Sequence, residues 1–539
     1  MVPLPPWWAW PLAALAAFIV YGFHPIKRWR YRHLPGPPFR WLVGNLPEMI
    51  AEGQENVAAR WAKQYGPGPW RYFAGGVPHV MTDNPELARK VTARPWRHSI
   101  PSLHTGQDGL FESYNIVFAN HELWKAARNA WSPFFSQDSL AKLGPLMSAS
   151  AGRLAAHLGA ADDEGRPMDI CRELGRMTMD VVGTTAFGVN FNTLERSKQE
   201  GSGQQQEERL ATPADRMGEA LRAFFDTFGL GSILWACCFL VPEAEPLVRW
   251  LANVLPTKSF RREQAGRVGI REVGTELVQA HLEHARAAAA GSAPGSGSPG
   301  RPQRPRVVDP GSFLALVTPL VGQRAGEHVL GELWAANQAT AFILAGYETT
   351  ANLLSYCIYL LALHPEHEAK VLAEVDAFGR ERTPTAADLE ASFPHTQAVI
   401  HEALRLYPPA PLVIREPPAG GMELGGVWVP GDAKMQVPIF SMHRNPRWWK
   451  EPDAFKPERF LPGTPEAAEV VPGAYIPFGD GTRKCIGWRF GLMEAGLSLV
   501  QLLQQYTFRL LPGQVPLKTK MLLTMAPAGG VRVTVHRRT

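Results

Sequence analysis

Cysteine is scarce in this chain, and the way it is spaced limits what the protein can be. The five cysteines show no C-x-x-C pair of the kind that holds structural zinc, and an odd number does not suit a disulfide framework. The sequence therefore predicts a reducing compartment without structural zinc. The positions are Cys171, Cys237, Cys238, Cys357 and Cys485.

Charge is also limited. Charged residues make up 19% of the chain and the net charge is +5, with no element that concentrates lysine and arginine as a nucleic-acid binder would. The hydrophobic fraction of 45% is that of an ordinary globular protein, and 48 prolines and 50 glycines indicate many loops. We find no internal repeat, so one large, mainly helical domain with no nucleic-acid partner is the simplest interpretation.

The N-terminal stretch is long and uncharged. Residues 1–23 are rich in Trp, Leu and Ala, and four basic residues follow between positions 27 and 32. Such a stretch can cross a hydrocarbon core of ~30 Å, with the basic cluster on the cytosolic side. A cleaved signal peptide is the alternative, but no basic region precedes the apolar run and no small-residue cleavage site follows it. We predict an anchor at 1–23, a basic and proline-rich hinge at 24–45 and one domain at 46–539.

Helical patterns dominate that domain. Asn84 followed by Pro85 marks a helix start, and residues 70–81 read as strands broken by a glycine pair. Residues 137–290 read as successive helices interrupted by a polar loop at 195–212, and residues 287–310 as a disordered internal linker. The apolar stretch 227–241 suits either a core helix or a lip that dips into a bilayer.

The most informative stretch is 477–487, with the sequence Pro-Phe-Gly-Asp-Gly-Thr-Arg-Lys-Cys-Ile-Gly. A cysteine ligates metal only as thiolate, so it needs donors and positive charge nearby. Arg483 and Lys484 supply charge, Phe478 can shield the sulfur, and a helix beginning after Gly487 directs its N-terminal dipole at it. Glycines, which let backbone N–H groups turn toward the sulfur, stand at Gly479, Gly481 and Gly487. The pattern suits Cys485 as a thiolate ligand of haem iron.

The spacing Phe478-x-x-Gly481-x-Arg483-x-Cys485-x-Gly487 resembles the haem-binding signature of the cytochrome P-450 family. The resemblance implies the mainly helical P-450 fold with small β-sheets, haem b as cofactor and Cys485 as its axial iron ligand. It also implies that the domain 46–539 is a haem-thiolate catalytic domain behind one transmembrane helix.

A second motif lies in the middle of a long apolar helix predicted over residues 327–364. Ala345 and Gly346 are followed by Tyr347, Glu348 and Thr349. An ionisable side chain beside hydroxyls is unusual in a core helix, and a threonine can bond back to the i−4 carbonyl and open the helix. The segment resembles the family's (A/G)GxxT helix, which implies that Glu348 and Thr349 deliver protons for oxygen activation, with Ala345 and Gly346 against the haem. Packing of helices through small residues is the alternative.

Further motifs follow the family's order along the chain. Trp124 and Arg128 stand at i and i+4 on one helical face and resemble the family's WxxxR, which implies contact with a haem propionate. Arg415 and Arg483 are expected to hold the propionates with them. Glu402 and Arg405 resemble the ExxR motif, which with the arginine of a later Pro-Glu-Arg-Phe is expected to lock the core below the haem. That arginine is Arg459.

These motifs predict a monooxygenase that inserts one atom of O2 into an apolar substrate of terpenoid, sterol or fatty-acid type. The expected partners are NADPH-cytochrome P-450 reductase and cytochrome b5, and the expected location is the endoplasmic reticulum membrane, single-pass and with the catalytic domain cytosolic, or alternatively a plastid envelope. Two other functions stay open. One is a haem-thiolate isomerase or dehydratase that acts on peroxides, and the other is a haem-binding sensor or carrier.

The pocket stretches that can be named are nearly free of charge. They are Phe342, Ala345 and residues 409–414 and 522–525. Because these stretches carry so little charge, burial of apolar surface is expected to supply most of the substrate affinity.

A weaker resemblance, carried by residues 97–102 and 410–416, is to the subgroup that contains plant carlactone oxidase and thromboxane synthase.

Overall fold

The computed structural model describes residues 24–41, 43–93, 103–105, 107–119, 121–163, 165–194, 213–227, 233–289, 312–521 and 524–538. The predicted anchor, the polar loop 195–212, the stretch 97–102 and most of the predicted linker lie outside these ranges. Within them, no helix combines the length and apolar character that a membrane crossing requires.

The fold is mainly helical, as the sequence predicts. The helices are α1 (His24–Trp29), α2 (Leu46–Glu52), α3 (Gln54–Tyr65), α4 (Pro85–Thr92), α5 (Phe111–Tyr114), α6 (His121–Trp131), α7 (Gln137–Asp163), α8 (Ile170–Phe187), α9 (Pro213–Thr227), α10 (Ile233–Leu240), α11 (Glu245–Val254), α12 (Lys258–Ala289), α13 (Phe313–Val317), α14 (Glu332–Leu363), α15 (Pro365–Phe378), α16 (Ala386–Ser392), α17 (Pro394–Leu406), α18 (Ile439–Met442), α19 (Pro465–Ala468) and α20 (Trp488–Gln505).

The strands form small sheets at the margins of the helical body. They are β1 (Trp70–Ala74), β2 (Val77–Met81), β3 (Met168–Asp169), β4 (Arg324–Ala325), β5 (His328–Val329), β6 (Val413–Arg415), β7 (Met422–Leu424), β8 (Val427–Val429), β9 (Lys434–Val437), β10 (Tyr506–Leu510), β11 (Thr519–Met521), β12 (Met525–Pro527) and β13 (Arg532–Arg537). One sheet has the order β1-β2-β9-β6, in which β2 and β9 are parallel, and another has the order β10-β13-β3. The pairs β4-β5, β7-β8 and β11-β12 are antiparallel.

Local chemistry accounts for several boundaries. The side chain of Asn84 accepts hydrogen bonds from the backbone N–H groups of Glu86 (2.9 Å) and Leu87 (3.2 Å), and Pro85 occupies the first helical position, where its missing N–H costs nothing. The predicted start of α4 is therefore confirmed. The strands predicted over 70–81 are confirmed as β1 and β2, with Gly75 at φ +60° in the turn between them.

Two boundaries differ from the prediction. The long helix α14 begins at Glu332 instead of 327, because residues 324–329 pair as the β4-β5 hairpin. Helix α12 continues through Ala289, so residues 287–289 are helical and not part of a disordered linker; alanine is the best helix former and extends the helix. At 32 residues each, α12 and α14 are equally long.

Several residues of the predicted hinge 24–45 are packed against the domain. Tyr31 is buried and its hydroxyl donates to Asp432 at 2.7 Å. The backbone N–H of Arg71 in β1 donates to the carbonyl of Pro35 at 2.8 Å. A Cβ on Gly36 would lie 2.0 Å from the Arg71 carbonyl oxygen, so the proline-rich segment runs in close contact with β1.

Of the apolar stretch 227–241, the structure describes residue 227 at the end of α9 and residues 233–241, which contain helix α10. Cys238 of α10 is buried, and the carbonyl of Phe239 accepts a hydrogen bond from Gly76 at 2.9 Å. The described part of this stretch is thus packed on the turn between β1 and β2. Large exposed apolar side chains follow it, on α11.

Candidate active site

The loop before α20 presents Cys485 at an open surface inside the fold. The Cys485 N–H donates to the carbonyl of Phe478 at 2.9 Å, which closes the loop. Gly479 and Gly481 both have φ of +69°, and a Cβ on Gly481 would lie 2.1 Å from the Thr92 carbonyl oxygen, so a side chain cannot fit there. The sequence argument for thin backbone around the cysteine therefore has a geometric basis at Gly481.

Competing effects act on the Cys485 thiol. Desolvation deep in the fold has the larger effect and raises its pKa, and the backbone N–H of Gly487 and the charges of Arg128 and Lys484 offset only part of this shift. The residue nevertheless keeps an exposed surface. Cys171 and Cys357 lie in different surroundings, because burial raises the pKa of the Cys171 thiol to about 12 and that of the Cys357 thiol still further. Cys485 thus combines access with donors and positive charge, which a thiolate ligand requires.

Three arginines lie close to this loop, and none of them forms an ion pair with a carboxylate of the described residues. Arg128 donates to the Lys484 carbonyl at 2.8 Å, Arg483 to the Ala119 carbonyl at 3.1 Å, and Arg415 to its neighbouring carbonyl at 2.8 Å. Burial lowers the pKa of Arg415 to about 10, and burial together with the charges of Arg415 and Arg128 lowers the pKa of Arg483 to about 10.

The same cluster tests whether a haem fits. The Arg415 Nε atom and the Nε and Nη1 atoms of Arg483 are buried and have no hydrogen-bond partner in the part of the chain described. Buried, repelling guanidinium groups require anionic acceptors, and the propionate carboxylates of haem b are such acceptors. The Trp124 ring lies 4.4 Å from the Arg483 guanidinium carbon and stacks on that group, so Trp124 and Arg128 contact the loop from α6.

Helix α14 is buried along most of its length, yet it is open at the predicted motif. Ala345 is exposed, residues 346–349 are half-buried, and the residues on either side are buried. The Thr349 hydroxyl donates to the Ala345 carbonyl at 2.7 Å, the back-bond that the sequence suggested. Ala345, Glu348 and Thr349 therefore mark the part of α14 that faces an open space.

Two residues of this region pack instead against neighbouring helices. A Cβ on Gly346 would lie 2.7 Å from Val182 of α8, so the bare face of this glycine allows close helix packing. Phe342, expected at the pocket, is buried against other rings and does not line open space. The rings around it are Trp131, Phe134, Phe135, Phe313 and Phe490.

The Glu402–Arg405 pair is completely buried. Arg405 donates from Nε and Nη2 to the two Glu402 oxygens, each at 2.7 Å, and Arg459 lies 3.4 Å from Glu402 Oε1. Further Arg405 donors reach the carbonyls of His443 (2.8 Å) and Ala454 (3.0 Å). The structure thus brings together all three residues that the sequence grouped.

Sequence reasoning missed two residues beside these motifs. His443 accepts the backbone N–H of Ile476 at 3.0 Å through Nε2, so it links the Arg405 network to the segment that leads into the cysteine loop. Glu494 on α20 is fully buried next to Thr350. A lone acid in a mostly apolar helix was a visible signal for Glu494, whereas His443 carried none.

Comparison with known proteins agrees with this site. The Cytochrome P450 family profile matches residues 34–234 and 317–533. The chain belongs to this family, and it is accordingly a haem-thiolate monooxygenase that uses haem b. It is 28% identical to thromboxane-A synthase of Sus scrofa over 98% of this chain and 96% of that protein, and 27% identical to cytochrome P450 3A5 of Homo sapiens over the same shares. Lithocholate 6-beta-hydroxylase of Mesocricetus auratus is 26% identical over 93% and 90%.

Proposed function

We propose that the protein is a membrane-bound monooxygenase that oxidises an apolar substrate with electrons from a flavoprotein reductase. The observation that carries this proposal is the accessible Cys485 thiol together with the arginines around its loop, which pair with no carboxylate of the described residues. The opened segment of α14 supports it, because α14 packs against α20, which begins three residues after Cys485.

The residues have separate roles in this proposal. Haem b supplies oxygen activation when it is bound. Cys485 holds the iron as thiolate, and Arg128, Arg415 and Arg483 neutralise the propionates. Thr349 presents its hydroxyl oxygen at the open face of α14, and Glu348 beside it holds a proton that can pass to that hydroxyl. The Glu402–Arg405–Arg459 cluster keeps the cysteine loop in place through His443.

The substrate is proposed to be terpenoid, sterol-like or fatty-acid-like. An extended, half-buried apolar segment precedes Arg415 and consists of Leu412, Val413 and Ile414. As a lining of the proposed pocket, this segment offers shape and apolar area but no hydrogen-bonding side chain. One relative is named for a lithocholate hydroxylase, which is consistent with a sterol-like ligand. A carlactone-like compound stays within this class.

Association with the endoplasmic reticulum membrane is proposed to involve residues 1–23 as a single-pass anchor and an apolar surface beside it. This membrane-facing patch comprises exposed side chains of α1, of α11 and of residues adjoining them. Its members are Ile26, Trp29, Trp41, Leu247, Trp250, Leu251, Val254 and Leu255. Lys27 Nζ lies 3.5 Å from Glu243 Oε1, so α1 is a neighbour of the short turn that precedes α11. Trp residues and flanking cations suit a membrane interface.

The reductase is proposed to dock on basic residues around the cysteine loop. Lys484 and Arg489 both stack on the Trp488 ring, at 4.4 and 4.3 Å from its centroid, and Arg489 is exposed. Lys125 on α6 is exposed as well. A cluster of exposed positive charge suits an acidic partner surface, and cytochrome b5 would compete for the same face.

One experiment separates the proposed function from its alternatives. Purified full-length protein with NADPH and reductase should consume O2, and an apolar substrate should raise that rate and shift the haem from low to high spin. Conversion of an added lipid peroxide without NADPH, together with no NADPH-dependent O2 uptake, would establish the isomerase alternative. A protein that binds haem but shows neither reaction would be a sensor or carrier. Spin shifts produced only by small charged metabolites would refute the apolar pocket.

A further inference from the structure

A cavity that none of the proposed roles uses lies between four helices. It is bounded by α5, α9, α12 and the first half of α14, and its space measures about 360 Å³ including the open mouth. Pockets for small-molecule ligands typically measure about 300–1,000 Å³. The cavity is therefore large enough to take part of such a ligand.

Positive charge lines this cavity. Arg267 and Arg271 stand at i and i+4 on α12, so both guanidinium groups lie on the same helical face. Arg267 is only 5% exposed, whereas Arg271 is half-buried. Among the described residues that line the cavity, none is acidic. An anion that enters would meet two guanidinium groups, whose planar arrangement of donors matches a carboxylate.

The buried guanidinium group of Arg267 is held in position from several sides. Its central carbon lies 5.4 Å from the ring centroid of Phe111 on α5 and 5.4 Å from that of Phe224 on α9. Arg267 Nη2 lies 3.4 Å from Glu263 Oε1, and His104 Nε2 lies 3.2 Å from the same oxygen. This network ties the segment before α5 to α12. The charged wall is thus already formed, and a ligand has little ordering to drive when it binds.

Much of the remaining wall is apolar. Ile270 of α12 faces the cavity together with the two phenylalanine rings. Polar side chains include Asn337 of α14 and, at the exposed margin, Gln107. An apolar pocket with a few charged donors suits a ligand that has an anionic end and an apolar chain, because a small hydrophilic anion would leave the apolar wall without a contact.

The cavity and the open segment of α14 lie on one face of that helix. Asn337 and Glu348 are eleven residues apart, which is close to three full turns, so their side chains leave the helix in nearly the same direction. The distance between them along the axis is about 16 Å. Gln107 and Arg271 keep exposed surface and mark the outer end of the cavity. A chain fixed at this outer end would run along α14 toward Ala345.

We propose that this cavity binds the carboxylate of a long-chain acid substrate, with Arg267 and Arg271 as its donors and the apolar chain directed along α14. The inference rests on the proposed monooxygenase function and narrows its substrate class to apolar acids of the fatty-acid type. Such an anchor fixes the number of chain atoms between the carboxylate and the oxidised carbon, because both arginines and Cys485 belong to one helical body.

Isothermal titration calorimetry of the full-length holoprotein tests the anchor. The ligands are lauric, myristic and palmitic acid and their methyl esters, which keep the chain and lose the negative charge. The acids should bind about tenfold more tightly than the esters, or better, since the acids alone make charged hydrogen bonds. Arg271→Gln should weaken binding of the acids about tenfold and leave binding of the esters unchanged.

A second variant addresses the buried ion pair. Arg267→Gln combined with Glu263→Gln removes both charges at once, so no uncompensated charge is left in the interior. It should weaken binding of the acids in the same direction. Arg261→Gln is the matched control, since Arg261 is exposed on the same helix. The control should keep the parental affinity for acids and esters.

Product analysis with NADPH and reductase tests the direction of the chain. In the parent protein, the oxidised carbon should lie the same number of bonds from the carboxyl group in lauric, myristic and palmitic acid. Arg271→Gln should give a mixture of positions, because the carboxylate is held less firmly. An oxidised carbon whose position is constant only when counted from the methyl end would overturn the proposal.

Failure of the anchor and failure of the proposed function give different results. No binding by any of the acids, equal affinity of the parent protein for acid and ester, or variants that weaken both equally would overturn the carboxylate site. NADPH-dependent O2 uptake would in that case leave the monooxygenase function intact. If the acids bind in a manner that depends on Arg271 while NADPH drives no O2 uptake, the carboxylate site stands and the monooxygenase function fails.

Discussion

Arg405 illustrates how much one side chain can satisfy at once. It is fully buried, it binds both oxygens of Glu402, and its remaining donors reach the carbonyls of His443, Pro452 and Ala454. The planar guanidinium group matches this set because it carries five donors in a fixed geometry. A buried ion pair alone adds little net stability, so the backbone contacts are the part that fixes the chain before the cysteine loop.

Arg405→Lys should therefore destabilise the protein although it keeps the charge. A lysine cannot bind the carboxylate at two points and reach the backbone carbonyls as well, and each lost charged hydrogen bond costs about 1.5–3 kcal/mol. We expect loss of at least about 2 kcal/mol of unfolding free energy and a reduced haem content, measured by denaturant titration and by haem assay. Arg382→Lys is the control, because the Arg382 side chain is 62% exposed and its pair with Asp388 lies at the surface. Equal stability of the two variants would contradict this account.

At this scale the sequence could predict contacts between near neighbours and not those between distant segments. The i, i+3 spacing places Glu402 and Arg405 on one face, and resemblance to a family adds Arg459. Nothing in the local pattern specifies that His443 and Ala454 present carbonyls to Arg405, since those contacts depend on how loops fold over α17. Phe342 was placed wrongly for the same reason: its neighbours come from other helices and the segment before α14.

Helices and strands show the same contrast between features that local sequence determines and features that depend on distant segments. Helix α4 could be predicted because its cap and its first proline are local chemistry. The strand pairings could not be predicted: β12 pairs with β11, and β13 pairs with β10 and β3, and no local signal indicates these partners. Helix α14 ended as predicted and began later than predicted, because the β4-β5 hairpin takes its first residues.

The exposed apolar side chains of α11 predict that this helix contributes to membrane binding. In protein lacking residues 1–23, the double variant Trp250→Ser, Leu255→Ser should bind phospholipid vesicles several-fold more weakly, because it removes two exposed apolar side chains of the membrane-facing patch. Vesicle co-sedimentation measures the change. Val515→Ser is the control, since Val515 is 62% exposed on the loop between β10 and β11. Binding that falls equally in both variants, or in neither, would show that α11 does not face the membrane.

Several buried histidines make the folding stability of the protein depend on pH. Desolvation lowers the pKa of His79 and His443 to about 3 and of His395 and His401 to about 4, so the folded protein keeps them neutral. The unfolded chain protonates them near their ordinary pKa of about 6.5. Between these values the unfolded state binds more protons at these histidines, so the stability that they contribute is lost as the pH is lowered through that window.

Unfolding free energies measured by denaturant titration should accordingly decrease from about pH 6.5 to about pH 4. His395→Gln should make this decrease smaller, because one of the protonating groups is removed. His536→Gln, at an exposed position in β13, should leave the slope as it is. A slope that is independent of pH in this window, or one that His395→Gln does not change, would contradict the assignment of neutral buried histidines.

The architecture as a whole brings sequence-distant segments to Cys485. Arg128 comes from α6, Arg415 from β6 and the donors around the thiol from the loop before α20, and the helical body fixes their mutual positions. In the proposed function, the two propionates of haem b would offset the repulsion between these arginines, which burial and mutual charge already express as a lowered pKa of Arg483. The identity of the iron ligand is therefore the claim on which the remaining assignments depend.

The spectrum of the reduced carbon-monoxide complex tests that claim most directly. The full-length protein should show the long-wavelength band typical of thiolate-ligated haem, because the thiolate donates electron density to the iron. Cys485→His should retain haem and move the band to the position of histidine-ligated haem, while Cys357→Ser, at a buried cysteine of α14, should leave it unchanged. A long-wavelength band that persists in Cys485→His would show that another residue ligates the iron.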